Sequence, residues 1–139
     1  MSPMPALLAT TALMFLSAGP SLAAGPESAQ TTTAPAVRTP ASAQTRAAYD
    51  RMDALSRSVF WANEQEIDPA DPVAGVRLAQ ALRELGRYDQ AAEAAQATLT
   101  VQPANLEAML ELGRAHIARG QAFYGVAPLE QARALAPRD

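Results

Sequence analysis

A repeat constrains this chain more than any other feature. Segments 72–105 and 106–139 match at a fixed offset of 34 residues. Leu78 pairs with Leu112, Ala81 with Ala115, Gly86 with Gly120, Ala94 with Pro128 and Pro103 with Pro137. A period of that length implies one supersecondary unit per copy, which cannot bury its apolar face alone and so stacks on a neighbour. The punctuation inside each copy predicts two antiparallel helices. Gly86 stops a helix over 73–85, because glycine enters the left-handed turn conformation without steric penalty. A second helix over 88–101 ends before Pro103, which has no N–H to donate. The second copy predicts helices over 106–118 and 122–135, divided by Gly120 and followed by Pro137. Ala, Leu, Arg, Glu and Gln, all good helix formers, fill these stretches.

The residues within the period resemble the tetratricopeptide repeat (TPR) signature, large–x2–Leu–Gly–x2–large, then Ala–x3–large, then Pro. The second copy carries Met109, Leu112, Gly113 and His116, then Gly125 and Leu129, then Pro137. The first copy is looser, with Gly75, Leu78, Ala79, Leu82, Ala91, Ala95 and Pro103. The resemblance implies an all-α TPR solenoid of two helix–turn–helix repeats, residues 71–105 and 106–139. Gly75 and Ala95 are smaller than the family prefers, so the first unit is expected to bury less apolar area. A partial third copy lies upstream, where Ile67-Asp68-Pro69 stands one period before Val101-Gln102-Pro103. Residues 45–67 read as one long amphipathic helix with Tyr49, Met52, Leu55, Val59 and Phe60 on its apolar stripe. Such a helix is expected to cap the open side of the first repeat. Two and a half repeats lie near the lower limit for a stable solenoid, and Asp139 is the last place of a unit. The expectation is a natural truncation or a fragment of a longer TPR protein, with an enzymatic domain in its continuation as a third reading.

Composition narrows the function classes. The chain has 139 residues, enough for one small domain with extensions. Its hydrophobic fraction of 49% is largely alanine and only 5% is aromatic, so the core is expected to be thin. Net charge is −3, and all 11 basic residues are arginines scattered among acids, which argues against nucleic acid. Cysteine is absent, removing disulfides and thiolate metal sites. Residues 1–24 carry no charged side chain, and the apolar stretch 6–18 runs into Ser21-Leu22-Ala23, a small-x-small cleavage pattern. That predicts a signal peptide, since the run is short for a membrane span, and hence a periplasmic protein. Leu22-Ala23-Ala24-Gly25 resembles a lipoprotein box with glycine where the lipid-bearing cysteine would stand. Membrane association is therefore expected only through a partner. Residues 25–44, rich in Pro, Ala and Thr, read as a disordered tether.

Catalytic constellations are not found. His116 is the single histidine and is expected to be a packed, hydrogen-bonded core residue; no second histidine or cysteine joins it to make a metal site. Asp68, Asp71, Glu64 and Glu66 lack the glycine and terminal glutamate of a calcium loop and read as helix punctuation. Ser56 and Ser58 have no histidine near them in sequence, and no phosphate loop or nucleophile elbow occurs. The reading is a non-enzyme with no cofactor and no metal.

Binding carries the remaining signal. The TPR resemblance implies that the first helix of each unit lines a concave groove, at Val76, Gln80 and Arg83 and at Leu110, Arg114 and Ile117. Their spacings of three and four put each set on one helix face. An apolar floor with arginine edges suits a peptide or helix bearing apolar anchors and carboxylates; the bland alternative is a solvated face. Phe123 and Tyr124 stand where related repeats are polar, so either they touch a partner or they pack on a following repeat. Pro128 is expected to bend or break the last helix. The order of parts, with Phe60-Trp61 and the run from Gly120 to Ala132, also resembles the TadD-type TPR proteins of Flp pilus (tight adherence) assembly. That resemblance implies a periplasmic, outer-membrane-associated protein that helps the pilus secretin assemble, with Gly25 departing from the lipoprotein pattern. The sequence thus predicts an exported adaptor that binds a protein segment during pilus or secretion-apparatus assembly. A self-associating structural repeat subunit is the alternative.

Overall fold

Short polar side chains decide where four of the helices begin. In the computed structural model, which describes residues 37–136, Ser42 accepts from the Thr45 amide to open α1 (Ala43–Tyr49). Asp53 accepts from Ser56 to open α2 (Ala54–Ile67), and Asp71 from Val73 and Ala74 to open α3 (Pro72–Glu84), whose first residue is proline. Asn105 does the same at Ala108 for α5 (Leu106–Ala118). The second helix of each unit, α4 (Tyr88–Val101) and α6 (Ala122–Leu135), has no side-chain cap. Each follows a tight glycine turn instead. Gly86 and Gly120 adopt φ of 74° and 84°. Around them Gly86 N–H bonds to Arg83 C=O and Arg87 N–H to Leu82 C=O, and Gly120 and Gln121 repeat the pattern on Ile117 and His116. These are two copies of one Schellman turn, 34 residues apart.

The described residues form an all-α helical repeat solenoid. No strand occurs among them. Neighbours pack in chain order, α2 on α3, α3 on α4, α4 on α5 and α5 on α6, while α3 also touches α5. The core joins Trp61 of α2, Ala74, Leu78, Ala79 and Leu82 of α3, Ala91, Ala94 and Ala95 of α4, and Leu112 and Ala115 of α5. Alanine at so many contact points lets the helices approach closely. At the contact of α5 and α6 the backbones themselves meet, and a Cβ on Gly125 would lie 2.9 Å from the Gly113 carbonyl oxygen.

Two expectations are corrected. The region 45–67 is two helices, because Asp50 ends α1 and Asp53 caps a new start at α2. The break shifts the helical phase, so Met52, Leu55 and Val59 are exposed while Ser58, Trp61 and Glu64 face inward. And α6 is continuous through the buried Pro128, so of the expected bend or break the break does not occur. The carbonyl that Pro128 leaves without a helical donor is that of Tyr124, an exposed residue in the first turn, where water can serve it. The predicted signal segment 1–24, most of the 25–44 tether and the Pro137 stop lie outside the described residues.

Candidate functional site

The face shared by α3 and α5 is organised by a residue outside the predicted set. Glu111 is only 2% exposed, yet its carboxylate is fully engaged. Arg83 Nε donates to Oε2 across the helices at 2.9 Å, and Arg114 Nη1 donates to Oε1 at 2.6 Å from one turn along α5. One buried negative charge therefore holds two guanidiniums, leaving the group at +1. Both predicted groove arginines are thus brought together, but neither is free. Arg114 has the more accessible side chain, 52% exposed, and keeps unused donors toward water. Its i,i+3 spacing to Glu111 was readable in the sequence. The link to Arg83, 28 residues away, was not.

The other predicted groove residues divide. Leu110 is half-buried and Ile117 exposed, flanking Arg114 on α5. Gln80 is half-buried and accepts from Arg77 Nη1 at 3.0 Å, while Arg77 Nε lies 3.7 Å from Asp50. Val76 is a correction. It is 2% exposed, a core residue closed to a partner, because α5 packs over this side of α3.

A second polar cluster pins α1, which has no buried residue of its own. The buried Glu64 accepts from the Ala41 amide at 3.0 Å and from Arg46 Nε at 2.8 Å, and Arg46 also reaches Asp71 at 2.6 Å. Burial alone would pull the Arg46 guanidinium down, but hydrogen bonds to Asp71 and Glu64 and their charges reverse this and hold it above its usual value. The guanidinium stands 5.5 Å over the Trp61 ring, and Tyr49 stacks on Phe60 at 3.9 Å.

Concave surface lies elsewhere. A cleft of about 520 Å³ between α2 and α4 is floored by Leu78 and Leu82. One period on, a cleft of about 440 Å³ between α4 and α6 is floored by Leu112 and His116, with Tyr124 and Pro128 on its wall. Neither contains a predicted groove residue. His116 is half-buried, its Nδ1 is buried without a partner among the described residues, and its ring lies 5.9 Å from Tyr124. Phe123 is 85% exposed and Tyr124 also faces solvent. Among the described residues no cluster of three or more potential metal ligands occurs, and no helix is long and apolar enough to cross a membrane. No protein-family model matches this chain, and no curated protein matches it.

Proposed function

We propose that this chain is an exported TPR adaptor that binds a protein segment during assembly of a pilus or secretion apparatus of the Flp type. The observation that carries the binding reading is Arg114, half in water, oriented by Glu111 and flanked on the same helix face by Leu110 and Ile117. A guanidinium held by one carboxylate still offers a fork of donors, and the apolar neighbours supply anchoring surface. The ligand that fits is an extended or helical segment with apolar side chains and a carboxylate near them. Binding is stoichiometric, with no cofactor, metal or turnover. The TPR and TadD-type assignment rests on the 34-residue period and its signature positions, and the periplasmic location on the residue pattern of segment 1–24.

The test is co-purification of partners from cells that express the wild type or Arg114→Gln. Glutamine removes the charge and the donor fork at the solvated position while its amide can still donate to Glu111, whereas an acid there would set a second carboxylate beside the buried one. Arg114→Gln is expected to lose the captured proteins while keeping helical content. An unchanged set of partners would sink the reading.

A further inference from the structure

The first helix is in register with the repeat but is not packed like one of its members. Helix α2 stands one period before α4, and α1 falls within the stretch 38–50, one period before α3. The face of α3 that joins α4 in the core is buried at Leu78, Ala79 and Leu82. Their counterparts in α1 are Gln44, Thr45 and Ala48, all exposed. In place of that apolar face α1 has one side chain. The Arg46 guanidinium bridges Glu64 and Asp71, whose side chains are 4% and 13% exposed, and stands over the Trp61 ring. Tyr49, one turn along, stacks on Phe60.

The receiving groups belong to α2 and the start of α3, and their chemistry selects a guanidinium. Two carboxylates buried beside one cation require it, because neither can hydrate in its absence. A planar fork serves two acids at once and is attracted to an aromatic face, whereas an ammonium is a compact, strongly hydrated point charge. The element that delivers the cation is held by little else. Helix α1 buries no residue, and its Asp50 reaches Arg77 at 3.7 Å through half-exposed side chains. Seven residues are too few for a helix that is stable alone, so α1 is helical by virtue of docking. We propose that α1 is a displaceable strap, and that the edge of α2 and α3 beneath it docks a partner helix presenting an arginine with an aromatic ring one turn later. Tethered in cis, α1 acts at an effective concentration of about millimolar order and excludes weak competitors. A longer helix, already formed before it docks, loses less entropy on binding and displaces the strap. This surface shares no residue with the Arg114 face and does not rest on the adaptor reading.

The test uses the full chain carrying Arg46→Met, read by the emission of Trp61, the single tryptophan. Release of the strap is expected to shift that emission to the red. The probe is an N-acetylated peptide of residues 41–52, which keeps the Ala41 amide that Glu64 accepts, with Arg46 and Tyr49. Added in trans, it is expected to return the emission toward the blue with a midpoint of about 1 millimolar, the weak range of a short peptide that folds as it docks. The same peptide with Arg46→Lys is expected to need about fivefold more, and with Arg46→Met to do nothing. In the wild-type chain, amide hydrogen exchange in α1 is expected to run about tenfold or more faster than in α3 and α5, reporting opening of the strap alone. Equal exchange in α1 and α3 overturns the strap, and that measurement needs no variant to fold. An unshifted variant spectrum, no recovery by about 10 millimolar peptide, or equal recovery by the arginine and lysine peptides overturns the docking site. None of these readouts involves Arg114, so failure here leaves the adaptor reading standing, and loss of partner capture by Arg114→Gln says nothing about the strap.

Discussion

Glu111 and its two arginines do not share their charge burial equally, and that asymmetry predicts which substitution hurts most. In Glu111→Leu, two guanidiniums lose their partner, but their side chains are 29% and 52% exposed and can turn into water. The lost charged hydrogen bonds, discounted for solvent screening, cost about 2 kcal/mol, and the buried leucine returns about 1 kcal/mol. The net loss is about 1 kcal/mol. In Arg83→Met combined with Arg114→Met, the carboxylate stays buried with no cation, which costs about 3–5 kcal/mol. Replacing all three by Met, Leu and Met leaves an apolar cluster expected to fall within about 1 kcal/mol of wild type. For a domain of about 100 residues, the gap between single and double variants corresponds to roughly 10–25 °C in Tm. Urea unfolding followed by far-ultraviolet circular dichroism, with unchanged slope, reads these differences. If Glu111→Leu unfolds before the double variant, burial of the carboxylate is not the controlling term and the reasoning fails.

Three further predictions use the same assay. Gly125→Ala is expected to lose about 1–3 kcal/mol, because its Cβ would meet the Gly113 backbone 2.9 Å away, which no rotamer can relieve; a neutral result would mean that α5 and α6 separate freely. Arg46→Met leaves Glu64 and Asp71 without their shared cation and is expected to cost about 2 kcal/mol and release α1. The emission of Trp61, the only tryptophan, should then shift to the red, and an unshifted spectrum would show that other contacts hold α1. Hydrogen bonds from the Ser56 hydroxyl and amide hold the Asp53 carboxyl below its usual value. Its cap therefore contributes fully above about pH 4 and is lost as pH falls through the lower folded value. Asp53→Ala should remove that part of the acid-induced loss, seen as a stability difference from wild type that shrinks toward low pH.

The helices of both repeats were legible because their signals are local. Gly86, Gly120, Asp71, Asn105 and the prolines act within a turn of themselves, and the structure places helix ends beside them. The split of 45–67 was legible in principle too, since Asp53 followed by Ser56 is a helix start. The apolar stripe through Met52 and Val59 outweighed it and misplaced the buried face. Pro128 misled in the other direction, because a missing hydrogen bond near an exposed first turn is cheaper than one in a helix centre.

By itself, the sequence determined the period, the all-helical class and the succession of helix pairs. Only the tertiary structure decided which side chains are available. Val76 and Leu110 occupy the same place in the repeat, yet one is core and the other half-open, because burial depends on what stands beside the unit. Arg83 and Arg114 read as a free basic edge until α3 and α5 come together over Glu111. The reason is range. Helix propensity, capping and turn conformation are set within a few residues, whereas burial and ion pairing depend on packing between elements about 30 residues apart in the chain.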